Sequence, residues 1–201
     1  ERHGEHAGVQ EAACRALASI AFCFSFQVEV VNAGAIHVAV GAMERHGEHA
    51  GVQEAACEGI VSWTFYFCEH QLKAGEAGGI EASVKVMERH GEHAGVQEAA
   101  CRALASMCFY VLANRVKAGE AGAVEAAVGA MERHGEHAGV QEAACWALAS
   151  MTAGSFVNRN RLRACGGLVV IDRAIQYHNL IWYQRFLDEC MFEVSIDKQD
   201  M

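Results

Sequence analysis

The chain has 201 residues, 52% of them hydrophobic, and a formal charge of −9; that apolar content suits a substantial core and excludes a disordered polypeptide. The negative charge argues against a nucleic-acid partner, because a phosphate backbone requires a basic stripe. The richest apolar run, GIVSWTFYFC at 59–68, ends at Glu69, short of the roughly 18 residues that span a bilayer, so no transmembrane segment is expected.

Residue Glu1 opens a block, ERHGEHAGVQEAAC at 1–14, that returns unchanged at 44–57, 88–101 and 132–145. A start inside the block with no initiator Met, signal or tag suggests a piece of something longer or an idealised recombinant repeat. The intervals of 43, 44 and 44 residues exclude repeats of about 33–34 residues and fit two- or three-helix units of about 40–47. The expected division is one repeat domain over 1–201: a partial repeat at 1–25, repeats at about 26–68, 69–112 and 113–156, then a last repeat with a capping helix over 157–201.

There is no proline, so the 20 glycines must make the turns. In the unit best read, a short helix runs over about 114–121 and stops at Gly122; a second runs from Ala123 to about His134, and a third from about Val140 to Met151. Gly34, Gly78, Gly122 and Gly166 occupy the sharp corner before the second helix, which residues with a side chain disfavour. Gly135 ends that helix and Gly139 serves as N-cap of the third. In the third helix Val96, Ala99, Ala100, Ala103, Leu104 and Met107 form the buried stripe, and Glu98, Arg102 and Ser106 the outward one. After the last block, Leu180, Tyr183, Leu187, Met191 and Val194 keep helical spacing, so a terminal helix is expected over 179 to about 195, covering the end of the stack.

The openings of the second helix, Ala33-Gly34-Ala35-Ile36, Gly78-Gly79-Ile80, Gly122-Ala123-Val124 and Gly166-Gly167-Leu168, together with Val140-Gln141-Glu142-Ala143-Ala144-Cys145-Trp146-Ala147-Leu148 in the third, resemble the armadillo repeat family over about residues 1–178. Within that family the chain resembles near-identical tandem arrays of protist and algal proteins. The resemblance implies an all-α, right-handed solenoid of three-helix repeats, and a binding scaffold whose third helices line a concave groove. The outward residues of those helices are Glu11, Arg15, Glu54, Glu58, Glu98, Arg102, Glu142 and Trp146. Nuclear-import receptors of the family carry a Trp followed four residues later by an Asn. Here the matching pairs are Arg15 with Ser19, Glu58 with Ser62, Arg102 with Ser106 and Trp146 with Ser150, so only Trp146 keeps the aromatic and none the Asn. That departure sets nuclear-localisation peptides aside.

Five carboxylates against two guanidiniums on this stripe favour an extended, partly basic peptide. The alternative is that each glutamate merely complements the dipole of its own helix from the third helical position. A second surface comprises ten of the sixteen aromatics, which fall where a third helix ends and the next unit begins: Phe22, Phe24, Phe26, Trp63, Phe65, Tyr66, Phe67, Phe109, Tyr110 and Phe156. Stacked units would align them as an apolar edge for a neighbouring subunit, unless they pack between repeats.

The block also contains metal-ligand types, His3, Glu5, His6 and Cys14 and their copies. Copies of a histidine on units about 10 Å apart do not share an ion with bonds of about 2 Å, so solvated loop histidines are expected. Cys14, Cys57, Cys101 and Cys145 are too far apart to pair and read as small core residues. Nine cysteines without framework spacing suit a reducing, intracellular compartment, the cytoplasm first. No phosphate-binding loop, nucleophile elbow or HExxH occurs, so neither an enzyme nor a cofactor is expected. The expectation is a non-catalytic protein-binding scaffold or structural subunit. The alternatives are a histidine-loop metal module and an idealised repeat protein without a natural ligand.

Overall fold

A computed structural model describes residues 5–20, 24–186 and 188, with the side chains of Phe24 and Ser25 left aside. Its regular structure is helical throughout: α1 (Ala7–Ile20), α2 (Phe24–Asn32), α3 (Ala35–Arg45), α4 (Ala50–Thr64), α5 (Cys68–Glu76), α6 (Gly79–Arg89), α7 (Ala94–Cys108), α8 (Leu112–Glu120), α9 (Ala123–Arg133), α10 (Ala138–Thr152), α11 (Phe156–Ala164) and α12 (Gly167–His178), then a 3₁₀ turn at Ile181–Tyr183. No strand occurs among the described residues, and no single helix there is long and apolar enough to cross a membrane.

The helices form three rows. α1, α4, α7 and α10 pack on one another in chain order, and so do α3, α6, α9 and α12, while α5, α8 and α11 form the third row. The core lies between the rows. Along α7 the expected stripe of Val96, Ala99, Ala100, Ala103, Leu104 and Met107 is buried throughout. Its alanines and Cys101 let α4 and α10 approach from both sides, which places α7 in contact on more than one face. Ser106, expected to face outward, is therefore buried, with its Oγ 2.6 Å from Oγ1 of Thr64 on α4.

The corner glycines are where the pattern puts them. Gly34, Gly78, Gly122 and Gly166 have φ of 92°, 85°, 80° and 76°, and each immediately precedes a second helix. Residues with a Cβ meet a steric penalty in this left-handed region.

Three expectations shift. The first and third helices begin about a turn or less earlier than the apolar pattern suggested, at Leu112 and Ala138. Consequently Gly139 lies inside α10, and its N-cap is His137. At the C-terminal end, Asn179 closes α12 with φ 57°, and the chain enters the 3₁₀ turn rather than continuing as one helix from 179. Leu180, Tyr183 and Phe186 pack against the core while Trp182 is almost fully exposed. Residues 184–186 and 188 are helical again, and Leu187, Met191 and Val194 lie outside the described residues.

Two glycine classes separate backbone conformation from space. A Cβ on Gly122 would meet nothing within 4 Å, yet its φ is +80°, whereas Gly41, inside α3, has no such φ and only ordinary contact with the Arg45 side chain. Gly122→Ala is expected to destabilise by about 1 kcal/mol and Gly41→Ala to stabilise by about 0.5–1 kcal/mol. Urea denaturation midpoints of the two variants should move in opposite directions.

Candidate functional site

The histidines of the block are structural, not merely solvated. The second imidazole caps the third helix: Nδ1 of His49, His93 and His137 accepts the backbone N–H of Val52, Val96 and Val140, at 3.3, 3.2 and 3.2 Å. This satisfies one of the orphan donors that every helix N-terminus presents. The first imidazole reaches the preceding unit: Nε2 of His90, His134 and His178 donates to the carbonyl of Gly47, Gly91 and Gly135, at 2.7, 2.7 and 2.8 Å. The capping ring must be the neutral Nε2–H tautomer, because Nδ1 keeps its lone pair to accept, whereas the bond to the preceding unit requires only a proton on Nε2.

The rest of the block has equally local duties. Nε2 of the buried Gln97 donates to the carbonyls of Met87 and His90 at 2.9 and 3.0 Å, closing the C-terminus of α6; Gln53 and Gln141 do the same for α3 and α9. Glu11, Glu54 and Glu98 lie over the first turn of the next third helix, where a Cβ on Gly51, Gly95 or Gly139 would collide with their carboxylates. His49 and His93 come within 3.8 and 3.9 Å of Glu11 and Glu54. A carboxylate there complements the partial positive charge of the helix N-terminus. The expected dipole effect is thus exerted on the neighbouring helix. Within its own helix, Glu54 is the fifth residue rather than the third, because α4 starts at Ala50.

Arg15, Glu58 and Arg102 come together. They line one concave depression of about 440 Å3 across α1, α4 and α7, with Ser19 and Ser62 beside them and Ala18, Val61 and Ala99 supplying its apolar part. Arg15 is paired with Glu11 at 2.8 Å and Arg102 with Glu98 at 2.7 Å, each one turn away on the same helix. Glu58 is exposed and makes no ion pair among the described residues. Glu142 is exposed as well, one unit further on. Trp146 is half-buried against the core, and its ring meets that of Phe65 edge-on at 6.0 Å.

The aromatic positions divide between exposed and buried. Phe26, Phe65, Tyr66, Phe109, Tyr110 and Phe156 are exposed, with Phe65 and Tyr66 at 4.8 Å and Phe109 and Tyr110 at 4.5 Å in edge-to-face pairs. Phe67 is half-buried and stacks near His70 at 4.7 Å. Trp63 does not belong to the edge. It is fully buried over Gly59, where a Cβ would strike its ring, and its Nε1 donates to the Leu17 carbonyl at 3.4 Å. Phe22 and the side chain of Phe24 lie outside the described residues.

Other important residues lie where the block gave no hint. His70, Asn114 and Asn158, 44 residues apart, are buried in the first helices and bond the carbonyls of Trp63, Met107 and Met151 at 2.9, 2.8 and 2.8 Å. Asn114 and Asn158 also donate to Gln71 and Arg115 of the preceding unit. Their common offset was the available signal, hidden by the change from histidine to asparagine.

Cys57, Cys101, Cys108 and Cys145 are free and buried, whereas Cys68 is exposed. Burial disfavours the thiolate, pushing Cys57, Cys108 and Cys145 up to about 12 from the ordinary 9.0 and Cys101 upward as well. Among the described residues no three His, Cys, Asp or Glu side chains are grouped to hold a metal ion.

No family model matches the chain, and neither does any curated protein. It is similar to two engineered proteins known from crystal structures. One superposes with a TM-score of 0.72 at 26% identity over 80% of this chain, the other with 0.73 at 27% identity over 82%. The chain spans 64% of the length of each.

Two measurements probe these roles. His93→Ala is expected to destabilise by about 1 kcal/mol and to speed hydrogen exchange at the Val96 amide, while His93→Asn, which can still accept, restores most of the loss. In alkali, thiols of the unfolded chain ionise near 9.0 while native Cys57, Cys108 and Cys145 stay protonated to about 12. The unfolded state therefore binds fewer protons across this window, and stability falls as pH rises through it. A denaturation midpoint that stayed level from pH 9 to 12, or native alkylation of Cys101 as fast as of Cys68, would contradict the burial.

Proposed function

We propose that the chain is a right-handed, armadillo-like α-solenoid that acts as a non-catalytic protein-binding scaffold, taking an extended, partly basic segment of a partner along its third helices. The observation that carries this reading is the concave depression across α1, α4 and α7, which gathers Arg15, Glu58 and Arg102 from three successive units. The period of about 44 residues, the three rows of helices and the left-handed glycine before each second helix support the architecture. A groove built from equivalent positions suits a ligand that is itself periodic, such as an extended backbone. The exposed pairs Phe65–Tyr66 and Phe109–Tyr110 support a second contact with a neighbouring subunit.

A second reading is an idealised repeat protein with no natural ligand. It is supported by four identical blocks and by likeness to two engineered proteins.

The two readings part on a display library of peptides panned against the full chain. Glu54 and Glu98 are poor reporters because they serve neighbouring helix termini, so the informative changes are Glu58→Lys with Glu142→Lys. The scaffold reading expects selected peptides to lose about tenfold or more in affinity with these changes, the size of one charge-assisted contact. Affinity indifferent both to them and to Phe65→Ser with Phe109→Ser would remove both surfaces. Failure to select any peptide would favour the idealised protein.

A further inference from the structure

The depression across α1, α4 and α7 is chemically one-sided, and the proton inventory of its hydroxyls makes it so. Oγ of Ser19 donates to the Arg15 carbonyl at 2.9 Å, and Oγ of Ser62 donates to the Glu58 carbonyl at 3.0 Å. Each hydroxyl has only one proton, so both oxygens are left as acceptors. Glu58 lines the same depression, a carboxylate without an ion pair among the described residues and itself acceptor-only. Ala18 and Ala99 are buried beside them, and Val61 is half-buried. Acceptors next to a small apolar patch suit a side chain with a methylene stem and a cationic, donor-only head.

The flanks have the opposite character. Arg15 and Arg102 are about half exposed, at 52% and 50%, and each is held by a single glutamate of its own helix. A guanidinium has five N–H donors, so both retain capacity for a second carboxylate. They would also repel a run of cations. Successive helices pack about 8–10 Å apart, and an extended chain advances about 3.3 Å per residue, so one unit corresponds to about three residues.

We propose that this depression is a pocket for one lysine of an extended peptide that carries an acidic residue three positions to either side, the lysine ammonium on Glu58, Ser19 and Ser62 and the carboxylates on Arg15 and Arg102. The proposal rests on the groove reading above. It adds the sign pattern of the ligand and distinguishes it from a basic run.

The probe is the dye-labelled, capped peptide Asp-Gly-Ser-Lys-Ser-Gly-Asp, titrated into the full chain by fluorescence anisotropy. Its controls carry norleucine for the lysine, or lysine for both aspartates. The lysine peptide should bind about tenfold tighter than the norleucine one, and the peptide with three lysines should bind more weakly than the first. Glu58→Gln should abolish the preference for lysine over norleucine while leaving the melting temperature unchanged, since Glu58 is exposed. Equal affinity for lysine and norleucine, or a preference that survives Glu58→Gln, overturns the pocket. If such unselective binding is still blocked by Ser62→Trp in a folded variant, the groove reading stands without the lysine. If none of the peptides binds, the pocket is overturned; the library selection then decides whether the groove reading falls with it.

Discussion

Three successive joints are tied by an imidazole N–H given to a glycine carbonyl of the preceding unit, from His90 to Gly47, His134 to Gly91 and His178 to Gly135. The bond lies at the loop where a second helix stops and a third begins, so it fixes the relative position of both rows at once. Around it the remaining block residues assemble in order. Gln97 closes the helix behind it, His93 opens the helix ahead, and Glu54 lies over that opening from the previous unit. Each contact is worth about 1 kcal/mol by itself. Repeated at every joint, they hold neighbouring third helices close enough for alanine and cysteine to fill the space between them.

That closeness gives some outward residues of the third helices a structural purpose at the joints. Glu11, Glu54 and Glu98 face the next helix N-terminus, and Glu11 and Glu98 also hold Arg15 and Arg102. Position 58 and its equivalents lie one turn further along the third helix, beyond the joint. There the chain varies between Arg15, Glu58, Arg102 and Trp146. The repeated joint and the positions that vary between copies are thus separated by a single helical turn.

The helices, their order and the glycine corners were legible in the sequence because they follow from periodicity and from one backbone conformation. The stripe of α7 was equally plain except at Ser106, whose burial depends on having a neighbour on both sides. The capping histidines are exposed at the loops as expected, but their capping role was hidden because loop chemistry is judged by residue type, whereas a cap is judged by where a helix starts. An apolar pattern begins at Val140, but the first turn of α10 begins at Ala138 and places His137 at the N-cap. Trp63 was grouped with its aromatic neighbours by position in the chain. Only the close approach to Gly59 and the Leu17 carbonyl distinguishes it. His178 kept the 44-residue offset from His134, but the altered letters around it hid the last joint.

Identical joints carry a liability in folding. α4, α7 and α10 begin with the same eight residues, AGVQEAAC, and therefore offer the same cap, the same glycine and the same small core face. A state in which α10 docked directly on α4, with the unit between them looped out, would satisfy most of the same joint contacts, and the entropy of closing such a loop grows only slowly with its length. What discriminates against that misassembly lies outside the block, in residues that changed between copies, such as the buried Cys108 of α7 and Thr152 at the equivalent position of α10. The variable positions thus encode the order of the units as well as the surface they present.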